Sequence, residues 1–191
     1  KLMDDWCPLA YRLAKPQAHA YVFCDQQNFA ALKEMMQLAG WYVFRTMLIA
    51  HKPNSGRLPL PDLGPRRQYE TILYAIKGNK KVKVGSVGAS DVISTTQDAN
   101  LSHGAQKPTQ LYIELLKRSC SPGDSVLDSF MGSGTIFPSC HQLKLKATGL
   151  EQNPEYFAIS YNRLKQVEKE GMPLDGDALT SELFGMLSKK P

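Results

Sequence analysis

Apolar and polar positions recur along the first half of the chain with both helical and strand periods. Residues 18–24 form a mostly apolar run typical of a buried strand, and residues 25–39 place apolar side chains at helical spacing before Gly40. Residues 41–49 and 69–76 are rich in the aromatic and β-branched side chains that strands favour. The pattern therefore predicts helices at 2–13 and 26–39, the second capped by Asp25, and strands at 18–24, 41–49 and 69–76.

Polar residues dominate positions 79–106, and the regular pattern resumes beyond them. This stretch is rich in Gly, Ser, Thr and Asp, which predicts an irregular connection. Thr109 can cap a helix, and a short buried strand is then predicted at 125–130 and another strand at 146–150, each followed by a helix. Such alternation predicts an α/β fold with a doubly wound, mostly parallel sheet. We expect one domain over residues 1–170 and a tail at 171–191.

Length, charge and cysteine spacing narrow the class of protein. The 191 residues suit one domain, and a hydrophobic content of 42% is enough to form a core. A net charge of +5 permits a polyanionic partner. The four cysteines are far apart and form no C-x-x-C pair, so they predict reduced thiols in the cytoplasm and no metal site. No apolar run reaches the 18 or so residues of a membrane span, so we expect no membrane partner.

Two glycines and a carboxylate have the spacing of an adenosine site. Gly132 and Gly134 lie between a predicted strand and a predicted helix, where glycine allows a sharp turn and close approach of a ligand. Glu151 closes the next predicted strand, 19 residues after Gly132. A carboxylate at this spacing can accept hydrogen bonds from both hydroxyls of a ribose.

The residues around these glycines favour S-adenosylmethionine over a phosphate-bearing cofactor. Phe137 stands where a dinucleotide fingerprint has its third glycine or an alanine, and the loop lacks the ending of a P-loop. Asp128 suits the ammonium group of S-adenosylmethionine, and Lys107 with the free amides after Pro108 suits its carboxylate. An unrelated NAD-dependent enzyme is the disfavoured alternative. The predicted cofactor residues are Lys107, Pro108, Thr109, Asp128, Phe130, Gly132, Ser133, Gly134, Thr135 and Glu151.

Several segments, in order, resemble motifs of the DNA methylase family that modifies adenine N6 or cytosine N4. They are Ala20-Tyr-Val-Phe-Cys-Asp25, Arg66-Arg-Gln-Tyr-Glu-Thr-Ile-Leu73, Lys107-Pro-Thr-Gln-Leu111, Val126-Leu-Asp-Ser-Phe-Met-Gly-Ser-Gly-Thr135 and Gly149-Leu-Glu-Gln-Asn-Pro-Glu-Tyr156. The resemblance covers about residues 1–167 and is closest to the permuted class, in which the catalytic half precedes the cofactor half. It implies a Rossmann-like methyltransferase fold, S-adenosylmethionine as cofactor, and double-stranded DNA with a flipped target base as partner.

The family's catalytic motif is missing from the sequence. That motif is Asp, Asn or Ser followed by Pro-Pro and an aromatic residue, and the chain contains no Pro-Pro pair. Asn153-Pro-Glu-Tyr156 is similar, but Asn153 is explained as a helix cap and Pro154 as the first helical residue. The resemblance places the true motif upstream of Lys1. We therefore expect a sheet that is incomplete in its N-terminal part, without the neighbour of strand 125–130, and a chain that alone does not methylate DNA.

Two readings of function follow from the resemblance. The first is a DNA methyltransferase that transfers a methyl group to an exocyclic amine, and the second is a cofactor-binding fragment or inactive paralogue without turnover. Arg66 and Arg67 end the proline-rich stretch 51–67 and are predicted to lie near the DNA. The alternative for this pair is two surface arginines without a partner.

Overall fold

The computed structural model describes residues 1–53, 68–78, 88–96 and 106–169. The chain divides into two compact units. The N-terminal unit comprises Lys1–Asn100 with Gln110–Cys120, and the C-terminal unit comprises Leu101–Thr109 with Ser121–Pro191. The predicted tail at 171–191 lies outside the described residues.

The N-terminal unit contains a mixed sheet with helices. Its elements are α1 (Leu2–Leu13), β1 (His19–Cys24), a 3-10 turn (Gln26–Asn28), α2 (Phe29–Leu38), β2 (Tyr42–Val43), β3 (Leu48–His51), β4 (Tyr69–Ile76), β5 (Val92–Ser94) and most of α3 (Thr109–Lys117). The strand order is β1-β4-β3-β5, and β2 also pairs with β4. The predicted bounds of the first helix and of strand 69–76 are those observed.

The mostly parallel sheet that the sequence predicts is not observed in the N-terminal unit, whose sheet is mixed. Among the described strands of this unit, β1, β2 and β3 all pair antiparallel with β4, and only the β3–β5 pair is parallel. β4 lies between β1 and β3 and runs opposite to both. A parallel neighbour requires a crossover connection, usually a helix, whereas an antiparallel strand does not. The strand and helix pattern alone could not show which strand β4 joins.

Two local predictions in this unit are corrected. The predicted strand 41–49 is divided into β2 and β3. Val43 pairs with Ala75 and Leu48 pairs with Ile72. The segment from β2 to β3 therefore advances five residues while β4 advances three, and the two extra residues form a bulge between β2 and β3. The irregular connection predicted at 79–106 contains β5, which adds a short parallel edge to β3.

The two faces of β4 lie in different hydrophobic clusters. Side chains alternate across a strand, so Ile72, Tyr74 and Ile76 pack on one face with Leu111 and Leu115 of α3. The opposite face packs against a cluster that includes residues of α1 and α2. Its buried members are Cys7, Leu32, Met36, Trp41, Val43, Leu73 and Ala75. Helices therefore cover both faces of the sheet, as in the doubly wound arrangement that the sequence predicts.

The C-terminal unit is a parallel β–α–β arrangement followed by a long helix. Its elements are β6 (Ser125–Asp128), α4 (Ile136–Gln142), β7 (Lys146–Gly149) and α5 (Pro154–Lys169). β6 and β7 are parallel and in register, with Val126 facing Ala147. The prediction that this strand is buried is wrong, since the Leu127 side chain in the middle of β6 is 51% exposed. β7 is the only partner of β6 in the described part of the chain, so the other edge of β6 is open there.

Candidate cofactor site

All ten predicted cofactor residues lie in the C-terminal unit, around the turn from β6 into α4. Gly132 and Gly134 adopt φ angles of +54° and +77°, a region that side chains disfavour. A Cβ atom on Gly134 would lie 2.7 Å from Cβ of Ser160 on α5, whereas one on Gly132 would meet no atom within 4 Å. Gly134 is thus required for packing, and Gly132 leaves the turn open to a ligand.

The Glu151 carboxylate is held against the first glycine of this turn. Its Oε2 accepts a hydrogen bond of 3.0 Å from the Gly132 amide, and its Oε1 accepts one of 2.8 Å from the Asn153 amide. A carboxylate offers about four acceptor positions, so each oxygen can accept a second hydrogen bond. The carboxylate is therefore oriented in advance and can still accept from two hydroxyl groups.

The end of β6 is shaped by Asp128. Its Oδ1 accepts a hydrogen bond of 3.1 Å from the Phe130 amide, which closes the turn that contains Ser129. A side-chain contact of this kind restrains the backbone between Asp128 and Phe130. The Phe130 side chain is 52% exposed beside this turn. Asp128 and Phe130 thus lie next to the glycine turn, and their contact with the cofactor stays a prediction.

The segment 106–109 is brought to the glycine turn from a distant part of the sequence. Thr135 donates to the carbonyl of Lys107 at 3.2 Å, and Ser139 of α4 donates to the carbonyl of Thr109 at 3.3 Å. Pro108 is fully buried between these contacts. The structure thus joins Lys107 to the site through its backbone carbonyl, and the predicted role of its ammonium group stays a prediction.

Two further polar residues of the site were missed by the sequence analysis. Gln106 Oε1 accepts from Ser133 at 3.3 Å and from Arg163 at 3.1 Å, and Arg163 also donates to Thr135 at 3.3 Å. Gln106 precedes a recognised motif by one residue, which was a usable signal. Arg163 lies in a helix with ordinary amphipathic spacing and offered no local signal.

The segment that resembles the missing catalytic motif is a helix start. Asn153 Oδ1 accepts hydrogen bonds from the amides of Glu155 at 2.9 Å and Tyr156 at 3.3 Å, as an N-cap side chain does. Pro154 is the first residue of α5. The helix-cap explanation is confirmed. Arg66 and Arg67 lie outside the described residues, so their predicted role stays a prediction.

Among the titratable groups that the structure describes, the marked pKa shifts lie in the N-terminal unit and have a structural cause. Burial lowers the pKa of His19 and raises the pKa of Tyr74 to about 12. His19 Nδ1 lies 2.9 Å from the Tyr74 hydroxyl, and Tyr21 stacks on Tyr74 with ring centroids 5.0 Å apart. These groups are explained by burial in an aromatic cluster and need no catalytic role.

Metal ligation and membrane insertion find no support in the described ranges. Among those residues, no three or more His, Cys, Asp or Glu side chains are grouped to hold a metal ion. Every helix in the same ranges is too short or too polar to cross a bilayer.

Comparison with known proteins identifies similar sequences. A family model described as DNA methylase matches residues 1–162. Type II methyltransferase M.HpaI of Haemophilus parainfluenzae is 40% identical over 183 residues, which are 84% of this chain and 57% of that protein. Type II methyltransferase M.Cfr9I of Citrobacter freundii is 34% identical over 143 residues, which are 68% of this chain and 47% of that protein. The chain thus spans about half the length of these curated relatives.

Two solved structures have a similar fold. The M1.HpyAVI–SAM complex has a TM-score of 0.75 at 24% identity and is matched over 84% of this chain and 81% of that one. PvuII DNA methyltransferase, described as cytosine-N4-specific, has a TM-score of 0.71 at 17% identity over 97% of this chain and 75% of that one.

Proposed function

Because the chain belongs to the N6/N4 DNA methylase family, we propose that it binds S-adenosylmethionine at the turn between β6 and α4 and serves methyl transfer to DNA. The methyl acceptor in this proposal is the exocyclic amine of adenine (N6) or cytosine (N4) in a base flipped out of double-stranded DNA. The α/β methyltransferase fold expected from the sequence is confirmed by the likeness to solved DNA methyltransferases.

The geometry of Glu151 carries the cofactor assignment. Its two oxygens are oriented by the amides of Gly132 and Asn153, and each keeps an acceptor position for a ribose hydroxyl. The open space at Gly132 lets a ligand approach the same backbone. M1.HpyAVI, whose fold is similar, was solved as a complex with SAM.

Phe137 supports S-adenosylmethionine over a dinucleotide. This side chain is only 5% exposed, and its Cδ2 would lie 3.0 Å from a Cβ on Gly134. In a dinucleotide fingerprint the corresponding position is small, so that the helix packs closely and its N-terminus holds a pyrophosphate. S-adenosylmethionine contains no phosphate and does not require that arrangement.

The chemistry of the proposed reaction is an in-line displacement. When bound, S-adenosylmethionine would supply a methyl group to the nitrogen lone pair, the carbon–sulfur electron pair would stay on sulfur as the thioether of S-adenosylhomocysteine, and the methylated amine would release a proton to solvent. In such a reaction the protein contributes mainly positioning and polar stabilisation. In this proposal Glu151 and the glycine turn supply the positioning of the cofactor.

The group that holds the target amine is not identified in these 191 residues. The sequence contains no Pro-Pro pair, and Asn153-Pro-Glu-Tyr156 caps a helix. We therefore propose that these residues alone bind cofactor without turnover. The same observation also supports the alternative to an active enzyme, which is a cofactor-binding module or inactive paralogue.

Arg66 and Arg67 are proposed to lie near the DNA. Substitution of this basic pair by neutral residues would then weaken DNA binding and make it less dependent on salt concentration.

Calorimetry with S-adenosylmethionine, S-adenosylhomocysteine and NAD tests the cofactor assignment. We expect binding of the first two and none of NAD, and the opposite preference would reject the proposal. A methyl-transfer assay on mixed-sequence DNA tests the second part, with this chain and with a version extended at its N-terminus by a segment that contains the family motif. Turnover by the 191-residue chain would show that the catalytic group lies within it.

A further inference from the structure

The side chain of Arg163 joins three segments of the C-terminal unit. Its Nη1 donates to Thr135 Oγ1 at 3.3 Å, at the end of the glycine turn. Its Nη2 donates to Gln106 Oε1 at 3.1 Å, 57 residues earlier in the sequence. Ser133 Oγ donates to the same Gln106 oxygen at 3.3 Å. One guanidinium group on α5 thus connects the glycine turn to the segment that begins at Gln106.

The partners of this guanidinium are buried. Gln106, Ser133 and Thr135 are 5%, 5% and 4% exposed. Buried polar groups are costly unless they are hydrogen-bonded, and Arg163 supplies a hydrogen bond to Gln106 and another to Thr135. The conformation of the glycine turn is therefore linked to the position of Arg163.

Because arginine can only donate, it sets the direction of the whole network. The atom of Gln106 that faces Arg163 has to be the carbonyl oxygen, which fixes the orientation of the amide. Thr135 Oγ1 has to accept from Arg163, and its own hydrogen is then directed to the Lys107 carbonyl at 3.2 Å. The chain of hydrogen bonds runs from Arg163 through Thr135 to the backbone of Lys107.

We propose that Arg163 and Gln106 are positioning residues of the cofactor site. They hold the turn at 133–135 and the backbone at Lys107 in the binding conformation before the cofactor arrives. This inference rests on the function proposed above. A lysine at position 163 would keep the charge, but its single ammonium group cannot present the rigid planar fork that reaches Thr135 and Gln106 together.

Two measurements on the full chain test the bridge. The variants are Arg163→Lys, Gln106→Ala and the double variant, with Arg12→Lys at an exposed position of α1 as the matched control. Amide hydrogen exchange is measured on the free chain, and the dissociation constant for S-adenosylhomocysteine is measured by calorimetry. The denaturant midpoint of each variant shows whether it is folded under the binding conditions, so that a loss of affinity can be separated from unfolding.

We expect faster exchange of the Gly134 amide in Arg163→Lys, with exchange in the N-terminal unit unchanged. The Gly134 amide donates to the Met131 carbonyl at 2.9 Å, so the exchange rate of this amide reports on the stability of the turn. Affinity is expected to weaken about tenfold in each single variant. The dissociation constant of the double variant is expected to exceed that of the weaker-binding single variant by no more than about twofold. Both substitutions remove the same bridge, so their effects should not add.

Two results would overturn the inference. The first is an Arg163→Lys variant whose Gly134 exchange rate and dissociation constant equal those of the unaltered chain and of Arg12→Lys. The other is a double variant whose loss equals the product of the two single losses. If the unaltered chain binds no cofactor, the proposed function fails and the cofactor role of the bridge fails with it. The exchange result then still shows whether Arg163 holds the turn.

Discussion

Replacement of Glu151 by glutamine separates the charge of this side chain from its size. In the free chain Glu151 accepts from the amides of Gly132 and Asn153. Alanine would leave both amides without this partner and disturb the turn itself. Glutamine keeps one oxygen for one amide but turns an NH₂ group toward the other, and it removes the negative charge that the ribose hydroxyls would meet.

The expected loss of affinity follows from the bonds that are lost. A hydrogen bond to a charged acceptor contributes about 1.5–3 kcal/mol, which corresponds to about a tenfold to 150-fold increase in the dissociation constant. Glu151→Gln should lie in this range for S-adenosylhomocysteine. Glu151→Ala should weaken binding at least as much and should also lower stability, because two amides lose an acceptor.

The assay is isothermal titration calorimetry, with a denaturant titration of each variant to correct for unfolded protein. Glu155→Gln is the matched control, since its exposed carboxylate lies in the first turn of α5 and none of the site contacts described above uses it. The control should change affinity by less than about twofold. Unchanged affinity in Glu151→Gln with intact folding would refute the assignment of the ribose to this carboxylate.

Three further predictions concern packing and titration. Gly134→Ala places a Cβ atom 2.7 Å from that of Ser160 at a φ of +77°, so it should lower the free energy of unfolding by about 1–3 kcal/mol, and an unchanged denaturant midpoint would contradict this packing. Ile72 is fully buried on β4, so Ile72→Ala should lower the free energy of unfolding by about 2–5 kcal/mol. Leu38 is 83% exposed, so Leu38→Ala should lower it by less than about 0.5 kcal/mol. Equal effects of the two changes in chemical denaturation would refute the assigned core. Burial lowers the pKa of His19 below its usual value of 6.5, so the unfolded chain takes up this proton first and stability should fall as pH drops below that value. His19→Gln should flatten this fall, and an unaltered pH profile of unfolding would show that another group causes it.

Features that depend on neighbouring residues were determined by the sequence itself. Asn153 and Pro154 were recognised as a helix start because the cap and its recipients lie within three residues. The glycine turn and Glu151 were recognised because a strand, a turn and a helix of ordinary length bring them together at a set spacing. The first helix was bounded correctly because a helix is expected to end before Lys15-Pro16.

Features that depend on distant segments were decided only by the tertiary structure. β4 reads as an apolar strand in any sheet, but its central place between antiparallel neighbours depends on which strands it meets. The two extra residues between β2 and β3 appear only when both are placed against β4. Leu127 belongs to an apolar run and yet is half exposed, because exposure depends on which neighbours cover the strand. Arg163 and Gln106 meet across 57 residues, and no local period encodes a hydrogen bond between side chains that only the folded chain brings together.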